Sequence, residues 1–435
     1  SLYSLPSLYG FVKECVLRRA GDYENTQKIL NQLKNCGFNF SLQETFLHEM
    51  TKYFSEIISK IDKGHFKLDK KSEKKILMMG CSVWGDVFCK IFLNYCLPSL
   101  LTDGNLGVLL KKRQLVILIQ TDKPSKDKII NSKIIKFMKS KGVEFLFIYN
   151  NVELTKYFST YAESKYWHLG LVQSIDLHLA KSLNADYHVL MPDSVYSENH
   201  FKGIFRATKN NHKIITRLML TTKLENVCAD IEQYRSENNG LSIPAADLNA
   251  ISIKHIHPYA KNWLQTNNDI LSELPHVHVI MWENYDSIIM KSSHQTIIFY
   301  DAKLLQNITS RYVFSLDSEL DKIIEHDQPI YCPQIDDEIG LIEMTSSSSR
   351  SQDLPRKNID DFSDTFWFST QGSMKYWKFF EKESVDKLNR NILKNRPYLS
   401  QKKINTQIKF VTEKLIENFP VDEKLHVKDK LLKLI

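Results

Sequence analysis

The chain has 435 residues, of which 43% are hydrophobic, 11% aromatic and 25% charged, with a formal net charge of +7. That composition excludes a disordered chain, a collagen-like repeat and a small disulfide scaffold, and no run of about 18 apolar residues marks a membrane span. The seven cysteines (Cys15, Cys36, Cys81, Cys89, Cys96, Cys228 and Cys332) are odd in number and form no CxxC pair, the pattern of reduced thiols in a cytoplasmic protein.

In chain order, residues 7–62 carry apolar stripes at helical spacing, the last through Phe46, Leu47, Met50, Phe54 and Ile57. They predict a helical arm over 1–72, with residues 62–75 as a linker. The texture then changes. Ile76–Met79, Leu115–Gln120, Val143–Ile148 and Tyr187–Met191 are short, largely apolar runs that read as strands. Helical stretches separate them at Val87–Leu101, Ile129–Lys141 and Val152–Leu183, the last interrupted once. Buried strands alternating with helices require right-handed crossovers and a mainly parallel sheet covered on both faces. The core is therefore expected over 73–345, with a basic, helical extension over 346–435 following the Ser346–Ser349 hinge. The positive excess falls in the two flanks, and 73–345 as a whole is close to neutral. Nucleic acid is accordingly not an expected partner, while a peripheral contact between the basic tail and an acidic surface stays open.

Ligands of such sheets sit at the carboxyl ends of the strands. This singles out Cys81–Asp86, Thr121-Asp122, Asn150-Asn151 and Asp193–Ser197. Asp193 follows the fourth strand in the segment Pro192-Asp193-Ser194-Val195. An oxygen ligand there can hold Mg²⁺ or Mn²⁺. The plainer role is a turn or helix-capping residue.

Nucleotide-sugar glycosyltransferases of the GT-A type place their DxD motif at this position, and here only its first carboxylate is present. Trp84-Gly85-Asp86, Leu97-Pro98-Ser99-Leu100-Leu101 and Gly104-Asn105-Leu106 resemble the opening of a group of bacterial glycosyltransferase-like proteins, some with tetratricopeptide-like helices in front. Thr121-Asp122, the Pro192, Asp193 and Ser197 set and Leu316-Asp317-Ser318 match further short motifs of that group, over roughly residues 76–345. The resemblance implies a GT-A-like α/β core binding a UDP-, GDP- or dTDP-sugar through Trp84, Gly85, Asp86, Thr121, Asp122, Asp193 and Ser197, with transfer to a protein or glycan acceptor. It also implies a divalent cation near Asp193.

Histidines supply further candidates for a metal or diphosphate site. Lys254-His255-Ile256-His257-Pro258 puts two imidazoles on one side of an extended segment, and His294 precedes a strand. The alternative for His255 and His257 is a helix end stopped by Pro258. Asp247, Glu283 and Asp317, in the C-terminal half, are candidates for the base that deprotonates an acceptor hydroxyl. Trp263 and Trp282 could stack on a sugar, although lone tryptophans commonly serve packing.

Two other readings remain. Lys75–Gly85 is a strand followed by a two-glycine loop, as in S-adenosylmethionine-dependent methyltransferases, but Val83-Trp84 is bulky where close backbone approach needs small residues. An incomplete DxD also suits a non-catalytic, transferase-like scaffold. No P-loop and no GxSxG elbow occurs.

Overall fold

The computed structural model describes residues 41–68, 72–150, 152–156, 164–261, 264–265, 279–292, 296–306, 330–333, 338–347 and 383–394, together with Asn31 and Asn35. Its strands, in chain order, are β1 (Ile76–Ser82), β2 (Gln114–Thr121), β3 (Glu144–Tyr149), β4 (Asp186–Val189), β5 (Ser194–Tyr196), β6 (Ile214–Arg217) and β7 (Leu220–Lys223). They continue with β8 (Leu264–Gln265), β9 (Val279–Glu283), β10 (Ser287–Ser292), β11 (Thr296–Tyr300), β12 (Ile330–Tyr331), β13 (Leu341–Thr345) and β14 (Glu383–Lys387).

The fold is α/β, built on a seven-stranded sheet of order β12-β6-β11-β4-β1-β2-β3. β1 pairs in parallel with both β2 and β4, β2 with β3, and β12 with β6. β11 alone in this sheet runs antiparallel, between β4 and β6. β2 is buried along its whole length, which explains the unbroken apolar run Leu115–Ile119 within it: a strand covered on both faces has no polar side to present.

Alternate residues divide between two cores. Met78, Val116, Leu118 and Ile148 face one side, with Leu171, Ile175 and Leu179 of the helix Ser164–Ser182 and with Phe46, Met50, Phe54, Ile57 and Ile61 of the helix Ser41–Asp62. Leu77, Met79, Leu115, Ile117 and Ile119 face the other, against Ile129, Ile135, Met138, Phe201 and Phe205. The helices used below are α1 (Ser41–Asp62), α2 (Asp86–Ile91), α3 (Lys123–Asn131), α4 (Lys133–Ser140), α5 (Ser164–Ser182), α6 (His200–Lys209), α7 (Leu224–Glu232), α8 (Ala245–Lys254) and α9 (Arg390–Leu393).

Three sequence expectations change in detail. The helix expected over Ile129–Lys141 is two helices, because Ser132 is extended (φ −66°, ψ 147°) and its hydroxyl caps α4 by accepting from the Ile135 amide. Pro98 does not stop the helix expected from Val87. The run passes from α2 through a π-helical turn at Phe92–Cys96 into Leu97–Leu100, where Pro98 occupies the first turn, a position that needs no amide donor. The segment Glu383–Lys387, expected in a helical extension, is a strand. It pairs with β10 in the sheet β14-β10-β9-β8. Beyond it, 395–435 lie outside the described residues, as do 348–382. A third sheet, β5-β13-β7, closes the region behind β4.

Among the described residues, no helix is long and apolar enough to cross a membrane, and five cysteines are free thiols, four of them buried.

Candidate functional site

The chain leaves β1 for β2 and β3 on one side and returns to place β4 on the other. The crossover direction therefore reverses between β1 and β4, and the crevice at their carboxyl ends is where a ligand of such a sheet is seated. By that rule Val83–Asp86, which follows β1, and Leu190–Asp193, which follows β4, are the segments that would border it. Asp193 is half-buried there. Its carbonyl accepts from the Met344 amide at 2.7 Å, which fastens the turn to β13. Burial pushes up the thiols of Cys81 and Cys96, and the negative charge of Asp193 adds to it.

Beside this crevice the ends of three strands carry buried polar atoms with no hydrogen-bond partner. They are Ser82 Oγ, Gln120 Oε1, Thr121 Oγ1 and both amide atoms of Asn150. Ser82 and Gln120 are opposite one another in the β1–β2 register. Asn150 lies two residues beyond Ile148, the partner of Gln120 in β3. Strand alternation puts these three on the α5 side and Thr121 on the other. A buried polar group left unpaired costs about 1–3 kcal/mol, so a cluster of them at strand ends marks a place where a ligand or ordered water supplies the missing partners.

Gln120 is held firmly. Its Nε2 donates to the Val172 carbonyl at 2.8 Å and to Asp176 Oδ1 at 2.6 Å. Asp176 also accepts from the Tyr187 hydroxyl at 3.0 Å. Burial outweighs both bonds and pushes the Asp176 carboxyl up to about 7. This approach requires the glycine in β1, since a Cβ on Gly80 would lie 2.1 Å from Asp176 Oδ2. Two turns nearer the mouth on α5, the His168 ring meets Trp84 edge-on, centroids 5.3 Å apart. Burial lowers His168 to about 4, so the pair is a neutral aromatic wall.

The other expected residues are distributed more widely. Gly85 has φ +77°, in the left-handed region that favours glycine, and its N–H donates to Ser125 Oγ at 3.1 Å. Asp86 is exposed and ion-paired with Lys128, which holds its carboxyl below the usual range. Asp122 caps α3, accepting from the Ser125 amide at 2.7 Å. Ser197 is buried in the seam with residues 338–340, donating to the Glu338 carbonyl and accepting from the Gly340 amide. These are local structural roles: Asp86, Asp122 and Ser197 spend their polar atoms on neighbours rather than on the crevice.

Asp247 accepts from the Tyr234 hydroxyl and from Asn389 Nδ2, both at 2.8 Å. Glu283, on β9, accepts from Arg390 at 3.0 Å. Both carboxylates thereby join α8 and the second sheet to the segment around α9. His255 Nε2 lies 2.8 Å from Asp230 Oδ2, which also receives Lys254 at 2.6 Å. His257 is fully buried, its amide donating to the Thr221 carbonyl. Asp317, His294 and Trp263 lie outside the described residues.

Among the described residues no three His, Cys, Asp or Glu side chains gather into a metal cage. A divalent cation beside Asp193 would therefore take its remaining ligands from substrate oxygens and water, which is common for Mg²⁺. Asp176, Gln120 and His168 were not singled out by the sequence. The available signal was a lone carboxylate inside the apolar stretch Leu171–Ala180, with a glycine in the buried strand that faces it.

No protein-family model matches the chain, and no curated protein does. Among solved structures, a Bacillus anthracis glucose-1-phosphate thymidylyltransferase in complex with sucrose is similar over 60% of this chain and 87% of its own, at 10% identity and a TM-score of 0.29. Mouse xyloside xylosyltransferase 1, without ligand, is similar over 38% of this chain at 15% identity and a TM-score of 0.20; the likeness spans 58% of the mouse chain. At these values neither likeness carries functional weight.

Proposed function

We propose that the crevice between β1 and β4 binds a nucleotide sugar and that the chain transfers its sugar to a protein or glycan acceptor. The observation that carries this reading is the position of Asp193, a half-buried carboxylate in the short turn between β4 and β5, beside the point where the strand order reverses. The unpartnered polar atoms at the ends of β1, β2 and β3 support it, because they offer hydroxyl, carbonyl and amide groups to a polar ligand along the same edge. In this reading Asp193 contacts the ribose or faces the diphosphate, and Trp84 with His168 walls the mouth. Asp176 acts as a positioning residue by fixing the orientation of Gln120. A divalent cation, when bound, would neutralise charge on the departing diphosphate.

The test combines thermal stabilisation with donor hydrolysis over UDP-, GDP- and dTDP-sugars, with and without Mn²⁺. One donor should raise the melting temperature and release its nucleotide diphosphate. Asp193→Ala should lower turnover by at least about 100-fold while keeping the fold, as loss of a key electrostatic contact does. Stabilisation by S-adenosylmethionine alone would replace this reading with a methyltransferase, and no response to any donor would leave a scaffold.

A further inference from the structure

Residues 123–141 contain seven lysines, no arginine and a single carboxylate, Asp127, in a chain whose whole net charge is only +7. These residues form α3 and α4, which cover one face of β2 and β3 at the edge of the central sheet. Lys123, Lys128, Lys133, Lys136, Lys139 and Lys141 are exposed. Apolar side chains stand among them: Phe137 on α4 is 43% exposed, and Val87 and Phe88 on α2 are 55% and 43% exposed. The Asp86–Lys128 ion pair ties α2 to α3. The near neutrality of 73–345 as a whole thus conceals one strongly basic face.

We propose that this face docks on an anionic lipid bilayer. Clustered lysines near a negatively charged leaflet each add attraction of similar size, and exposed Phe and Val side chains among them can enter the headgroup region. Two features favour lipid over nucleic acid. Arginine, the preferred residue for phosphate forks and base edges, is absent from the patch. The faces of the rings that could stack on bases are taken by lysines: the Lys126 ammonium lies 4.7 Å from the Tyr149 ring centre and 5.3 Å from that of Phe147, Lys139 lies 6.0 Å from that of Phe145 and Lys141 5.3 Å from that of Phe137, whereas entry of an exposed apolar side chain among headgroups needs no free ring face. The proposal is independent of what the β1–β4 crevice binds.

Co-sedimentation of the full chain with phosphatidylcholine vesicles, with and without phosphatidylserine, tests it. The chain should pellet only with the anionic vesicles and be released by raised salt. The Lys133→Glu, Lys136→Glu, Lys139→Glu triple variant, checked for an unchanged melting temperature, should bind about 100-fold more weakly. Phe137→Ala, which keeps every charge, should weaken binding while retaining its salt dependence. Failure to pellet, equal pelleting with neutral vesicles, or tighter binding to single-stranded RNA at the same salt would overturn the proposal.

Discussion

At the scale of single residues, Asp176 sits without solvent between Gly80, Gln120 and Tyr187, and its proton is retained up to about pH 7. In the unfolded chain an aspartate ionises near pH 4 (about 3.9). Between those values the folded state binds more protons, so this residue's contribution to stability falls as pH rises from about 4 to about 7. Asp176→Asn keeps a side chain able to meet both neighbours but removes the titration. Urea unfolding across pH 4 to 8 should show the variant gaining on the parent as pH rises, by on the order of a few kcal/mol in full; a constant difference would contradict this. Neither the group nor its network was readable in sequence, because both depend on strand register and on which turn of α5 crosses Gly80. The placement of Asp193 in the turn that follows the fourth strand was readable, since it rests on sequence position alone; its role is the proposal made above.

At the scale of elements, Arg217 at the end of β6 donates to Asp386 on β14 at 2.8 Å, both side chains 1% exposed. Ser384 Oγ lies 3.1 Å from the same guanidinium nitrogen. This buried pair clamps the second sheet to the first. Removing one partner strands a charge in the interior, so Asp386→Ala should destabilise the chain by about 3–5 kcal/mol in denaturant unfolding. Strands β1 to β4 were legible because each contains or adjoins a short, largely apolar run set between helical stretches. β14 was not: Glu383–Lys387, with three charges in five residues, reads as surface, and its inward residues Ser384 and Asp386 are polar because they meet an arginine. The break at Ser132 carries no proline or glycine to announce it, yet it is what turns Ile129 and Met138, which would lie on opposite faces of one continuous helix, into the same core.

For the molecule as a whole, α1 is less an arm than a wall of the core. Its stripe at Phe46, Met50, Phe54, Ile57 and Ile61 packs with α5, and the Tyr53 hydroxyl donates to the Tyr149 carbonyl at the end of β3 at 2.5 Å. Phe54→Ala should therefore cost about 3–5 kcal/mol, read as a lower denaturant midpoint with an unchanged slope; a surface arm would give almost nothing. The sequence exposed the stripe but not its partner, because periodicity tells which face is buried and never against what. The same holds for charge, where a sum over 73–345 erases the contrast between its basic edge and the remainder. β11 (Thr296–Tyr300) is wedged between β4 (Asp186–Val189) and β6 (Ile214–Arg217), both of which are synthesised well before it. A growing polypeptide emerging from the ribosome must therefore hold the β4 rim open until this late insert arrives, a waiting period in which chaperones would find an unzipped seam.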